Sequence, residues 1–477
     1  MIAHRPARSD RPTIRLPRLL LLVTSVLLIS LIVPPHPAPA AVLPVTADTD
    51  ILLVQPTDGI AIDALAGALT ELGYAVVDGG QPAGAVRISV QDGDDPLAIA
   101  DAIAASGLAR GVEPDGFVRT ARIPDGALVD QQLTYLNVIR APEAWEHTTG
   151  DGTTVIAIVD TGLDYNHPEF RGRLAINGAD YFADGIDNDR NGCIDDIAGC
   201  NFVTPLSADP SCGYKRAAPN WFAWDDAGHG TVVAGVAAAT GDDGSGVAGL
   251  SWDALLLPVK VLDCTGVGRI STAAEGIRYA AERGAHIINI SLGTTSNSRV
   301  LHEAVLAAQA SGALIVASAG NTPGVVTYPG AYHGVIAVGA SGYKGVGSDP
   351  DYTRITSFSG NGPELDLIAP GYRVTGPLPA NLCNTPSWSC IDGQYTVTSG
   401  SSFAAAIVSG AAALLRAEHP GLSGPLQSSL LLQSLQPASD GSTSLLDVAA
   451  ALEYPVFQTH APGTVRTNDE GSAGPGG

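Results

Sequence analysis

Aromatic side chains are scarce in this sequence: Phe, Trp and Tyr make up 5% of it, although 45% of its residues are hydrophobic. The core must then be built from Ala, Val, Leu and Ile, a composition that suits a parallel sheet covered by helices on both faces. Positive charge is also scarce. Twenty-five Lys and Arg stand against 48 Asp and Glu, a formal charge of −23, which argues against nucleic acid or an anionic membrane as partner and serves solubility. Past the first 40 residues no stretch reads as membrane-spanning, and the tail after Pro455 has neither an apolar nor a basic anchor pattern. No internal repeat or long low-complexity segment interrupts the region from about 155 to 338.

At 477 residues the chain is long enough for two or three units at about 100–200 residues per domain. The first segment carries Arg5, Arg8, Arg11, Arg15 and Arg18, then the apolar run 19–33, then Ala38-Pro39-Ala40. That is the layout of a secretory signal peptide, too short in its apolar part to span a bilayer, and it predicts export to the extracellular side. Six cysteines in an exported chain allow three disulfides. Cys193 with Cys200 and Cys383 with Cys390 are the local pairs, while Cys264, just past a strand-like run, could instead be a buried free thiol.

Apolar periodicity over 51–54, 61–72, 75–77, 85–90, 96–105 and 111–118 reads as β-α-β-β-α-β. A polar stretch, 119–131, leads out of it. Farther on, strand-like and helix-like runs alternate at 155–159, 229–239, 255–262, 272–283, 287–290, 300–311, 314–317 and 335–338. Such alternation predicts parallel β-α-β units in one sheet, an α/β fold.

Near the C-terminal end, Ser399-Gly400-Ser401-Ser402-Phe403 precedes an alanine-rich helical run, which presents a serine oxygen at a helix start. A serine hydroxyl is a weak nucleophile unless a base takes its proton, so a histidine and an orienting carboxylate are required. Both are upstream. Asp160 ends the apolar run 155–159, and His229 sits in Gly228-His229-Gly230-Thr231. With Asp160-Thr161-Gly162, His229-Gly230-Thr231 and Gly400-Ser401-Ser402-Phe403-Ala404 in the order Asp, His, Ser, the chain resembles the subtilisin-like serine peptidases, the subtilases, over about residues 135–454.

The resemblance implies a subtilisin-like three-layer α/β fold, with a mostly parallel sheet between helices, preceded by a small α+β ferredoxin-like propeptide. It divides the chain into a signal peptide at 1–40, an inhibitory propeptide at 41–120, a catalytic domain at 121–454 and a flexible tail at 455–477, with self-cleavage near 118–130. The activity implied is that of a secreted, monomeric serine endopeptidase that takes protein or peptide substrates and is held inactive by its own propeptide. In that reading Asp160 orients His229, His229 serves as base and then acid, and Ser402 is the nucleophile, chosen over Ser399 and Ser401 by alignment with the family motif. Asn321, in Ala319-Gly320-Asn321, would supply an oxyanion donor. Gly266, Gly268, Ser291, Leu292 and Gly293 would edge the peptide groove, Ser291, Leu292 and Gly293 with Ala319 and Gly320 would wall its first pocket, and Thr327 would lie near the floor of that pocket. No acidic residue is evident there, so apolar or middle-sized side chains are expected on the acyl side. Departures from the family lie beside the nucleophile: Phe403 stands where many relatives have Met, and Ala406-Ile407 where many have Pro-His.

Between the Asp and His motifs, Asp187, Asp189, Asn191 and Asp195 space oxygen side chains around Gly192 like the start of a calcium loop, although the closing Glu of an EF-hand is absent. Calcium is the expected ion, with Glu169 a weaker candidate ligand. Asp164 and His167 read as structural. Two other functions compete: a narrow-specificity processing protease, and a peptide-binding relative that has lost its chemistry.

Overall fold

The computed structural model describes residues 51–77, 84–91, 94–115, 122–180, 184–203, 220, 222–343, 345 and 349–453. The expected signal segment and tail lie outside the described residues, as do 116–121, the start of the expected cleavage region. Two units divide the chain near residue 115.

In the first unit alternate apolar residues make strands with one buried face, and apolar residues three or four apart make helices that cover it. The elements are β1 (Ile51–Pro56), α1 (Ile62–Glu71), β2 (Ala75–Val76), β3 (Val86–Ser89), α2 (Pro96–Ala105) and β4 (Ala109–Pro114). The antiparallel sheet runs β2-β3-β1-β4. Leu52 and Val54 from β1, Val86 and Ile88 from β3, Leu65 and Leu69 from α1, and Ala100 and Ile103 from α2 share one core.

The second unit begins with α3 (Val129–Leu136) and α4 (Ala141–Ala144), then β5 (Val155–Asp160), β6 (Cys200–Asn201), α5 (His229–Ala238), β7 (Leu255–Lys260) and α6 (Ile270–Glu282). It continues with β8 (Ile287–Ile290), α7 (Arg299–Ala310), β9 (Leu314–Ser318), β10 (Ile336–Tyr343), β11 (Asp351–Ile355), β12 (Leu367–Pro370), β13 (Val374–Pro377), β14 (Cys390–Ile391) and β15 (Tyr395–Thr398). Last come α8 (Ser401–Glu418), α9 (Gly424–Gln433), β16 (Gln436–Pro437), β17 (Ser444–Leu445) and α10 (Val448–Glu453). The main sheet runs β16-β17-β12-β10-β9-β8-β5-β7-β6, with β11 beside β10. Its central pairs are parallel, and β11 and β16 pair antiparallel at its margins.

Strand β5 explains the layering. Ile156 and Ile158 point into a core with Val232 and Val233 of α5 and Ala405 and Val408 of α8. Ala157 and Val159 point into a second core with Ala274 and Ile277 of α6 and Leu301 and Val305 of α7. A strand buried on both faces must read as a continuous apolar run, which is why 155–159 does not alternate. Small residues let α8 lie close to its neighbours: a Cβ on Gly410 would come within 2.7 Å of the Ala237 carbonyl oxygen. The chain passes from β5 to β7 on one side and then to β8 on the other, so β5 lies at the reversal of strand order, where open α/β sheets gather their sites at the carboxyl end.

Disulfides join Cys193 to Cys200 and Cys383 to Cys390. Cys264 is also disulfide-bonded, which replaces the alternative of a buried free thiol. A strand-end position does not prevent pairing, because the loop that follows can carry the sulfur outward. Among the described residues no helix is long and apolar enough to cross a membrane.

Candidate active site

Asp160 is the last residue of β5 and is fully buried. His229 is the first residue of α5, and its Nδ1 lies 2.7 Å from Asp160 Oδ1. That oxygen also accepts the Thr161 backbone N–H at 2.7 Å, so the carboxylate is aimed by its own turn. The approach of the two segments requires glycine: a Cβ on Gly230 would lie 2.3 Å from the Gly162 carbonyl oxygen. Burial disfavours the charged imidazolium, but the charge and hydrogen bond of Asp160 and the charge of Asp225 outweigh it and hold the His229 pKa above its ordinary 6.5.

Ser402 is the second residue of α8, after Gly400 at the cap. Its Oγ donates to the Ser291 carbonyl at 3.1 Å rather than to His229. The imidazole is beside it in the fold, because the rings of His229 and Phe403 lie 5.5 Å apart. Ser291 Oγ in turn donates to the Ser402 carbonyl at 2.8 Å, tying the end of β8 to the start of α8. The neighbouring serines are otherwise engaged. Ser401 donates its N–H and Oγ to Asn321 Oδ1 at 2.9 and 3.1 Å, and Ser399 Oγ accepts the Arg373 N–H. Since a backbone N–H needs an acceptor, Asn321 must turn Oδ1 to Ser401, which leaves its Nδ2 as the donor pointing elsewhere on an exposed side chain.

A cleft of about 460 Å³ opens beside His229, lined by Gly266, Val267 and Gly268 on one side and Ser291, Leu292 and Gly293 on the other, with Leu262, Ile270 and Ala273 between them. The two expected edges therefore face one cavity, and that cavity is mostly apolar. Thr327 packs between Gly293 and Gly320: a Cβ on either glycine would come within 3.0 Å of its side chain. Its N–H donates to the Ala319 carbonyl at 3.0 Å.

In the acidic loop, carboxylate oxygens of Asp180, Asp187 and Asp189 lie within 4.8 Å of one another. Asp180, outside the loop's regular spacing, joins two of the four expected ligands, and its buried Oδ2 has no hydrogen-bond partner among the described residues. Asn191 instead donates its amide to Asp189 and Asp196, and Asp195 accepts the N–H groups of Asp184 and Gly185. Asp196 accepts hydrogen bonds from Tyr279 of α6 and from Arg283, which caps the end of that helix, fixing the loop to the helix that borders the cleft.

Glu169, the weaker cation candidate, is buried and accepts the Val247 N–H at 3.1 Å and the Tyr395 hydroxyl at 2.8 Å through Oε1. Burial pushes its pKa up from 4.5 to about 7. A carboxyl with a raised folded pKa stabilises the fold fully below its unfolded pKa, and that contribution is lost as pH rises through about 7. The difference is on the order of 3 kcal/mol. In a Ser402→Ala background, the melting temperature should fall between pH 5 and pH 8 by several degrees more with Glu169 than with Glu169→Gln. Parallel curves would show that Glu169 ionises without cost.

The family model described as the Subtilase family matches residues 151–449. A thermophilic serine proteinase of Bacillus sp. (strain AK1) is 34% identical over 58% of this chain, and the chain spans only 55% of that protein. Thermitase of Thermoactinomyces vulgaris is 34% identical over 59% of this chain and 80% of its own length. Among solved structures, a protease from Pseudoalteromonas arctica PAMC 21717 superposes with a TM-score of 0.54 at 25% identity, covering 69% of this chain and 98% of its own.

Proposed function

This chain belongs to the subtilase family of serine-type endopeptidases, and from that premise we propose that it is an exported peptidase that cuts peptide bonds through an acyl-enzyme on Ser402. The observation that carries the reading is the 2.7 Å contact between His229 Nδ1 and the buried Asp160, with Ser402 one residue from the Phe403 ring that packs on the imidazole. Asp160 fixes the tautomer that leaves Nε2 free. Rotation about the Ser402 Cα–Cβ bond exchanges the Ser291 carbonyl for that nitrogen, a tightening that substrate binding commonly completes. Nε2 takes the hydroxyl proton as Oγ attacks the carbonyl carbon, then gives it to the departing amine. Water repeats the sequence to release the acid. Asn321 Nδ2 and the Ser402 backbone N–H are the oxyanion donors.

An extended peptide adds between Gly266–Gly268 and Ser291–Gly293 as a strand, with backbone pairing for affinity and apolar walls for selectivity. Thr327 narrows the first pocket, and among the described residues no carboxylate lines the cleft, so small and middle-sized apolar residues are preferred on the acyl side. Residues 1–40 direct export, the unit at 51–114 serves as inhibitory propeptide, and the cleaved enzyme is a monomer. A fluorophosphonate probe tests the reading: it labels the wild type and not Ser402→Ala. Absence of wild-type labelling overturns it. A peptide library separates broad degradation from processing at one favoured motif.

Asp180, Asp187 and Asp189 fit a hard divalent cation, because their donors are all carboxylate oxygens and one buried oxygen lacks a partner. Calcium held there would neutralise three converging charges and stabilise the loop. Chelation should lower the melting temperature of the Ser402→Ala protein, calcium should restore it, and Asp187→Asn should blunt both effects. A melting curve indifferent to calcium and chelator refutes the site.

A further inference from the structure

We propose that Asp225 is a positioning residue for the catalytic base, a single buried carboxylate that clamps the strand end carrying Asp160 to the helix start carrying His229. The inference rests on the peptidase reading and deepens it. Asp225 is fully buried, and burying an ionised carboxylate costs several kcal/mol unless its oxygens are satisfied. Here they are. Oδ1 accepts the Thr161 hydroxyl at 2.8 Å, the Ala227 N–H at 3.0 Å and the Gly228 N–H at 2.7 Å. Oδ2 accepts the Thr231 N–H at 2.8 Å and the Thr231 hydroxyl at 2.6 Å.

A helix cap needs only its own first turn, but this carboxylate also reaches Thr161, the residue after Asp160. The Thr161 hydroxyl in turn accepts the Gly230 N–H at 2.8 Å. One bridge therefore runs from Asp160 through Thr161 and Asp225 to both sides of His229. From the sheet side the Lys260 ammonium donates to the Thr161 carbonyl and to Asp226 at 2.8 Å, so the turn is held by hydroxyl and carbonyl alike. None of these bonds involves α8 or Ser402. The clamp sets only the separation of base and orienting carboxylate.

Its charge has a second consequence. The charged groups that act on His229 are Asp160 from β5 and Asp225 from the preceding loop; Phe403 of α8 packs on its ring, Lys260 and Asp226 pair with each other, and Arg269 lines the same cleft. Both carboxylates favour the imidazolium. Removing one must move the base's titration to lower pH, which loss of packing alone would not do.

The test measures kcat and KM on a peptide substrate from pH 5 to pH 10 for wild type, Asp225→Asn and Thr161→Val, alongside melting curves. For Asp225→Asn the expected result is a fall in kcat of about tenfold or more, little change in KM, and an acid limb of kcat/KM displaced to lower pH. Thr161→Val should lower kcat with the acid limb unmoved, because the charge remains. A folded Asp225→Asn with wild-type kcat and acid limb overturns the proposal. If that variant does not fold, Thr161→Val decides: lost kcat at constant KM supports the clamp, and wild-type kcat overturns it. A wild type that neither hydrolyses peptide nor takes the fluorophosphonate overturns the peptidase reading, and this inference falls with it.

Discussion

Ser402→Ala should reduce kcat for peptide hydrolysis by about 10⁶-fold, the scale measured on subtilisin, a relative with the same constellation. The loss is that large because nucleophile and base act as a unit: without Oγ there is no proton for His229 to take and no acyl-enzyme to split the reaction. The fold should survive. Among the described residues Ser402 makes one side-chain hydrogen bond, to the Ser291 carbonyl, and alanine is the best helix former at the start of α8. N-terminal sequencing of the purified variant gives a second readout. A chain matured by self-cleavage should keep its residues up to about 120 in Ser402→Ala and shed them in wild type. Retained hydrolysis, or labelling of the variant by a fluorophosphonate, would move the nucleophile elsewhere.

Asn321→Leu should lower kcat by about 10²–10³ with KM nearly constant, or roughly 2.7–4 kcal/mol, again a magnitude taken from subtilisin. Its amide nitrogen matters only when the carbonyl oxygen becomes an anion, so the cost appears in the transition state and not in ground-state binding. Leucine keeps the volume of an exposed side chain but removes the acceptor of the Ser401 N–H, a loss of about 1 kcal/mol in stability. Melting curves separate that small penalty from the kinetic one. Unchanged kcat would place the oxyanion donor elsewhere.

The pattern of elements around the site was legible because each depends on residues close in sequence. The continuous run at 155–159 became β5, and the small-residue run after Gly400 became α8. The antiparallel pieces β11, β13, β14 and β15 were not anticipated. They are two to five residues long, too short for a period to declare itself. In the acidic loop, regular spacing pointed to Asp187, Asp189, Asn191 and Asp195, but the fold turns Asn191 and Asp195 to bonds within the loop and brings Asp180 from outside the pattern. Linear spacing describes convergence only where the loop conformation is already known. Asp225 carried a readable signal, four residues before His229, yet the four residues that give it five hydrogen bonds could not be named without coordinates.

The sequence by itself determined which side chains could carry the chemistry, since a serine before a small-residue helix, a histidine between glycines and an aspartate ending a strand are local facts about residue type and backbone freedom. The tertiary structure alone decided how they meet. Strand order, the reversal at β5, the Asp160 to His229 contact and the Asp225 bridge join segments tens of residues apart. Their geometry follows from how two buried cores close around one sheet, and no propensity that acts over a few neighbouring residues encodes it.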